Sequence, residues 1–213
     1  MVKHFKFFKK TDFDLIEETI GKVEEKTQGE IVTMVVQRSS QYVNYHFATV
    51  CVFGVLGVLF SWLESRVLGF SEGLSHLAEW ELGTLTVGGL ITTLPIIARR
   101  LISSQTLERA VHARALKEFY KQGIHQTQAS TGILIFVSEF ERRVQILADS
   151  GINKKVSPET WDKQVKDIVA GIKTGNSGVA VARAIEEMGN LLALHFPAMK
   201  NNTNDLPNRP ITE

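Results

Sequence analysis

The chain has 213 residues and a formal net charge of +1, so no global basic field argues for nucleic acid as a partner. Its only cysteine, Cys51, excludes an internal disulfide and a thiolate metal cluster, which suits a cytosolic soluble part. The length accommodates one soluble domain of ordinary size together with a further element.

Residues 1–10 are basic, but no apolar run or small-residue cleavage site follows them, which argues against a secretory signal peptide. Residues 11–26 predict an amphipathic helix. Thr11 and Asp14 resemble a capping box, Glu17 and Glu18 favour the positive helix end, and Phe13, Ile16, Ile20 and Val23 share one face. Gln28 and Gly29 stop it. Residues 30–37 (EIVTMVVQ) form a short, nearly continuous β-branched run, expected to be a strand buried on both faces.

Residues 47–63 and 82–98 contain no charged side chain. Seventeen residues span about 26 Å as an α-helix, the short end of what a hydrocarbon core of about 30 Å requires. Tyr42, Tyr45, Trp62 and Trp80 stand where interfacial aromatics belong, and Arg99 and Arg100 close the second run. The two runs predict a transmembrane helical hairpin. The competing reading is a buried core hairpin of a soluble protein, which the modest lengths permit. Thr84, Gly88 and Thr92 recur at every fourth position, as do Gly89 and Thr93, and small faces let helices approach closely in lipid. Neither run holds an ionisable side chain other than Cys51, which argues against a proton or substrate path through one copy. The loop 64–81 carries Arg66 against Glu64, Glu72, Glu79 and Glu81, whereas Arg38, Arg99, Arg100, Arg109, Arg114 and Lys117 flank the other side. The positive-inside rule therefore puts both termini in the cytoplasm.

Residues 105–122 predict a second amphipathic helix with Leu107, Val111, Leu116, Phe119 and Tyr120 on its apolar side. No proline or glycine separates it from Arg99, so it is expected to continue the membrane helix as far as Gly123. Residues 132–138 (GILIFVS) and 143–148 (RVQILA) read as strands whose short connection makes them antiparallel. Ser157-Pro158-Glu159 opens a third helix burying Trp161, Val165, Ile168, Val169 and Ile172. A fourth starts near Ser177, buries Val181, Ile185, Met188 and Leu192, and ends before Pro197. Residues 198–213, rich in Asn and Pro, are expected to be a disordered tail. The expected organisation is a layered α/β domain split into residues 1–46 and 99–197, interrupted by the hairpin at 47–98.

Glu139, Glu141, Arg142, Arg143 and Asp149 gather around the strand pair and its exit. The functional reading makes Glu141, Arg142 and Asp149 catalytic and Glu139 and Asp149 metal ligands, with arginine steering a phosphate. The bland reading is a solvated turn with cross-strand ion pairs, Asp149 accepting N–H bonds at the Gly151 bend. Glu108 and His112 stand one helical turn apart without an evident third ligand, and His125 has no obvious partner. Thr174-Gly175-Asn176-Ser177-Gly178 reads as a turn, since it lacks a lysine and follows no strand.

The order of elements, with TQGEIVTMVV at 27–36 and TGILIFVSEFERRVQILADSGI at 131–152, resembles the TPM domain family. Asp149-x-Gly151-Ile152, then Trp161, then Phe196-Pro197 is similar to its membrane-embedded bacterial subgroup. The resemblance implies a three-layer α/β/α sandwich of the TPM type and, for some relatives, weak acid phosphatase activity or calcium binding. Many relatives carry Gly-x-Gly-x-Glu and an Asp a few residues on. This chain has Asp149, Gly151, Asn153 and Pro158 at those places, so two expected carboxylates are missing. Calcium takes about six to eight oxygens, several of them from carboxylates. The expectation is a TPM-like interaction or assembly module in a bacterial inner membrane, whose partners are the lipid bilayer and other membrane proteins. The alternative is a weak metal-dependent acid phosphatase, with a divalent metal such as calcium implied by the resemblance alone.

Overall fold

Seven consecutive residues with every side chain buried, Glu30–Val36, form the strand around which the sheet is built. The computed structural model describes residues 5–67, 74–127, 130–157, 159–199 and 206–213. Its elements are α1 (Lys10–Glu24), β1 (Glu30–Val36), α2 (Val43–Val67), α3 (Leu74–Thr93), α4 (Pro95–Leu101), α5 (Ser104–Lys121), β2 (Gly132–Ser138), β3 (Arg143–Ala148), α6 (Ser150–Asn153), α7 (Thr160–Lys173), α8 (Ser177–His195) and β4 (Ile211–Thr212). They fall into two units, Met1–Ser40 with Leu107–Glu213, and Gln41–Thr106.

The first unit is a four-stranded sheet in the order β3-β2-β1-β4. β1 and β2 pair in parallel from Glu30↔Gly132 to Val36↔Ser138, a geometry that demands a long crossover between them. β2 and β3 pair antiparallel, as their short connection predicts. Because side chains alternate along a strand, Ile31, Val35, Ile133, Ile135 and Ile146 point to one face. There they meet Ile16 and Ile20 of α1, Trp161 and Ile168 of α7, and Val181, Ile185 and Leu192 of α8. Val32, Met34, Leu134 and Phe136 point to the other face, against Val111, Ala115 and Phe119 of α5. Covering both faces makes three layers and explains why β1 and β2 read as nearly continuous apolar runs.

Several local expectations change. The cap of α1 is two residues earlier, at Lys9, whose N–H donates to the Asp12 carboxylate at 2.7 Å. Leu116 and Tyr120 of α5 are exposed, and Ala115 and Glu118 occupy the buried stripe instead. α5 does not continue the preceding helix. Ile102 is extended (φ −78°, ψ 131°), and the Ser103 hydroxyl accepts the Thr106 N–H at 3.2 Å as a new cap. The start of α7 is at Thr160, and Pro158 of its expected cap lies outside the described residues.

The tail expected to be disordered ends in a strand. Ile211 and Thr212 pair with Met34 and Val35, the Glu213 N–H donates to Val35 O at 3.1 Å, and Gln37 N–H donates to Glu213 O at 2.9 Å. Arg114 and Lys121 of α5 bind the Glu213 carboxylate. β1 would otherwise present a row of unpaired backbone groups at the sheet edge, and the short strand pairs those near its carboxyl end. Residues 200–205 of that tail lie outside the described residues.

In the second unit α2 and α3 pack along their small residues. A Cβ on Gly57 would come within 2.5 Å of the Thr84 hydroxyl, and one on Gly88 within 2.8 Å of Phe53. Trp80 stacks on Phe60 at 5.7 Å and donates its indole N–H to Glu64 at 2.6 Å. Gly89 faces open space. The run 82–98 is not one straight helix. Pro95 lacks an N–H and drives Leu94 to ψ 108°, and the chain turns by 93° between Leu77–Thr93 and Pro95–Leu101.

Candidate functional site

The connection of β2 to β3 is four residues, Glu139 to Arg142, with Arg142 left-handed at φ 52°. Glu139 N–H donates to Val36 O at 3.0 Å and Phe140 N–H to Gln37 O at 2.9 Å, so the turn is pinned to the end of β1. The Glu139 carboxylate accepts the N–H groups of Lys6 at 2.9 Å and Phe7 at 2.7 Å, clamping the N-terminal segment. Glu141, 2% exposed, accepts the Ser39 N–H at 3.0 Å and the Ser138 hydroxyl. Both acids of the turn therefore hold backbone in place.

Asp149 lies at the other end of β3. It caps α6, accepting the Ser150 N–H at 2.5 Å, while its own N–H donates to Gly132 O at 2.9 Å. The six residues of β3 put it about 20 Å from the turn acids. Glu139 and Asp149 are thus too far apart to share one metal ion, and Glu141, Arg142 and Asp149 are not brought together. Among the described residues no group of three His, Cys, Asp or Glu side chains is placed to hold a metal. The Asn153 amide donates to Ala148 O at 2.7 Å and closes the bend. Glu108 pairs with Arg143 at 3.6 Å, His112 is exposed, and His125 packs its ring on Tyr120 at 4.9 Å. The 174–178 segment is the α7–α8 turn, with Gly175 at φ 80°.

The turn nevertheless borders a cavity of about 200 Å³. Its floor is apolar, from Phe7, Val137, Val144, Val169 and Ile172. Arg142, Arg143 and Lys173 also line it, with Ser138 and Glu139. It sits at the carboxyl end of β2 and the start of β3, and the carboxyl ends of strands are where open α/β sheets commonly bind ligands.

Two buried acids escaped the sequence reading. Glu24, at the end of α1, and Glu30, heading β1, are 7% and 3% exposed. Burial pushes the Glu24 carboxyl up to about 8, and the nearby Glu30 adds to the rise. The Ile31 N–H at 2.9 Å and the Asn208 side chain work against it. A glutamate heading a nearly continuous β-branched run was the available signal. Glu118, 1% exposed, is a third buried acid that the sequence reading did not single out, held by Arg114 at 3.0 Å and Lys121 at 3.4 Å.

Residues 97–191 match the family model of the TPM domain, a stretch running from α4 to most of α8. The NMR structure of the BA42 protein from the psychrophilic bacterium Bizionia argentinensis superposes with a TM-score of 0.60 at 22% identity, covering 100% of both chains. At that identity the likeness speaks for the fold. Comparison with curated proteins finds no match.

Proposed function

We propose that the chain, whose residues 97–191 match the TPM domain family model, works as a membrane-anchored TPM module. Its hairpin unit is embedded in lipid and its α/β unit is cytoplasmic. The observation that carries the reading is the exposure of large apolar side chains on α2 and α3. Phe47, Val55, Leu59, Trp62, Leu82 and Leu90 are each at least half exposed. Gly57 is the one buried residue of the 25 in α2, so its apolar surface is left almost wholly uncovered. The core hairpin of a soluble protein would bury such surface, at roughly 25 cal/mol per Å² in favour of doing so. Lipid is the solvent that removes the penalty.

The bend at Pro95 fits the same reading. Leu77–Thr93 is about 26 Å long, enough to cross with slight thinning of the bilayer. α4 then runs across the axis of α3, as an interfacial helix would, with Arg99 and Arg100 in its last turn. Partners are other membrane proteins, for which the small outward face at Gly89 offers a close approach. The acid phosphatase alternative draws less from the geometry, because the candidate acids lie at opposite ends of β3 and those of the turn bind backbone. Full-length chain expressed in bacteria should stay in the membrane pellet through an alkaline carbonate wash and leave it with detergent. Recovery in the wash supernatant overturns the reading.

A further inference from the structure

We infer that the cavity beside the β2–β3 turn is a binding site for a small amphipathic monocarboxylate, its head group on Arg142 and Lys173 and its apolar end on the floor. The shape supplies the first argument. A pocket of about 200 Å³ is smaller than the usual 300–1,000 Å³ of drug-sized sites and suits a ligand of few heavy atoms. The chemistry supplies the second. Val169 and Ile172 of α7 and Val144 of β3 give one side an aliphatic surface that water solvates poorly. Three cations, Arg142, Arg143 and Lys173, are among its lining residues. Glu139 and Glu108, the latter ion-paired to Arg143, offset two of them, which leaves one positive charge for a singly charged head.

Construction of the walls is the third argument. Phe7 closes one side, and it is held there by its N–H bond to Glu139 rather than by helix or strand. Arg142 occupies a left-handed conformation that non-glycine residues seldom adopt, and such strain gathers where a side chain must be aimed. Lys173, the exposed last residue of α7, has no ion-pair partner among the described residues. A carboxylate would give the guanidinium and ammonium a shared acceptor through charge-assisted hydrogen bonds. This site is independent of the membrane anchorage proposed above.

Saturation-transfer NMR of hexanoate with the full chain in neutral-lipid nanodiscs tests it, empty nanodiscs being subtracted. Hexanoate should bind at least tenfold more tightly than hexanol, acetate or hexyl phosphate. The double variant Arg142→Asn, Lys173→Ala should lose at least tenfold, asparagine being chosen because it tolerates the left-handed backbone. Val169→Trp should abolish the signal by filling the floor. Thermal melts by circular dichroism verify that each variant folds, and the double variant decides the matter alone if Val169→Trp does not. Hexanol binding as well as hexanoate, hexyl phosphate binding more tightly, or a double variant that binds like the parent overturns the proposal.

Discussion

Glu24 carries an ionisation consequence, because its carboxyl is raised to about 8, chiefly by burial. A carboxyl raised above its unfolded value holds its proton in the fold, so its contribution is complete below about 4.5 and is lost as pH rises through about 8. Thermal melts of the detergent-solubilised chain should therefore show stability falling from pH 6 to pH 9, by on the order of 2–4 kcal/mol. Glu24→Gln should flatten that slope and leave the variant more stable than the parent at pH 9. Glu141 behaves differently, since its carboxylate satisfies the Ser39 N–H and the Ser138 hydroxyl. Glu141→Ala strands the buried Ser138 hydroxyl and the half-buried Ser39 N–H. The expected loss is about 2–3 kcal/mol, read from the shift of the denaturation midpoint. If Glu141→Ala left stability intact and removed a phosphoester activity, the acid would be catalytic and not structural.

At the scale of elements, the hairpin depends on glycines that hydropathy alone ranks as interruptions. Gly57 lies against Thr84 and Glu81, and Gly88 against Phe53, so a side chain at either position pushes α2 and α3 apart. Gly57→Leu should lower hairpin stability by about 1–3 kcal/mol in detergent melts. Gly89→Leu should leave the isolated chain unaffected, because nothing lies within 4 Å of the added atom. Loss at Gly89 of a species trapped by crosslinking in membranes would locate a helix–helix contact with another protein. Helix ends followed local chemistry closely. Pro95 stops α3 as a proline should, whereas the Ser103 cap that divides α4 from α5 was outweighed by the absence of glycine and proline around it.

The whole α/β unit closes through its C-terminus. β4 covers part of the edge of β1, and the last residue bridges α5 to that edge through Arg114 and Lys121. Deleting residues 206–213 removes the two backbone bonds made with Val35 and Gln37, the packing of Ile211 and the cover over Glu24. The truncated chain should lose on the order of 3 kcal/mol and aggregate through the bared strand, which light scattering during a melt would reveal. An unchanged melting temperature would mean that the terminal strand contributes nothing to the fold.

Periodicity made the helices legible, since Ile16 and Ile20, or Ile185 and Leu192, repeat as one face must when it packs on a sheet. The nearly continuous apolar runs 30–36 and 132–138 likewise made two strands buried on both sides legible, and the four-residue turn made the third strand antiparallel. The two uncharged runs announced themselves by composition, and they emerge as helices whose apolar side chains the chain leaves uncovered. Distance in space was not legible. Five charged residues within eleven positions look like one cluster, but a strand of about 3.3 Å per residue carries Asp149 away from the turn. A polar, proline-containing terminus gave no sign of the strand at Ile211, because its pairing depends on a vacant edge made by residues nearly two hundred positions earlier. The cavity lining was half visible for the same reason. Arg142 and Arg143 are neighbours in sequence, whereas Lys173 and Phe7 reach them only because α7 and the N-terminal segment fold onto that end of the sheet.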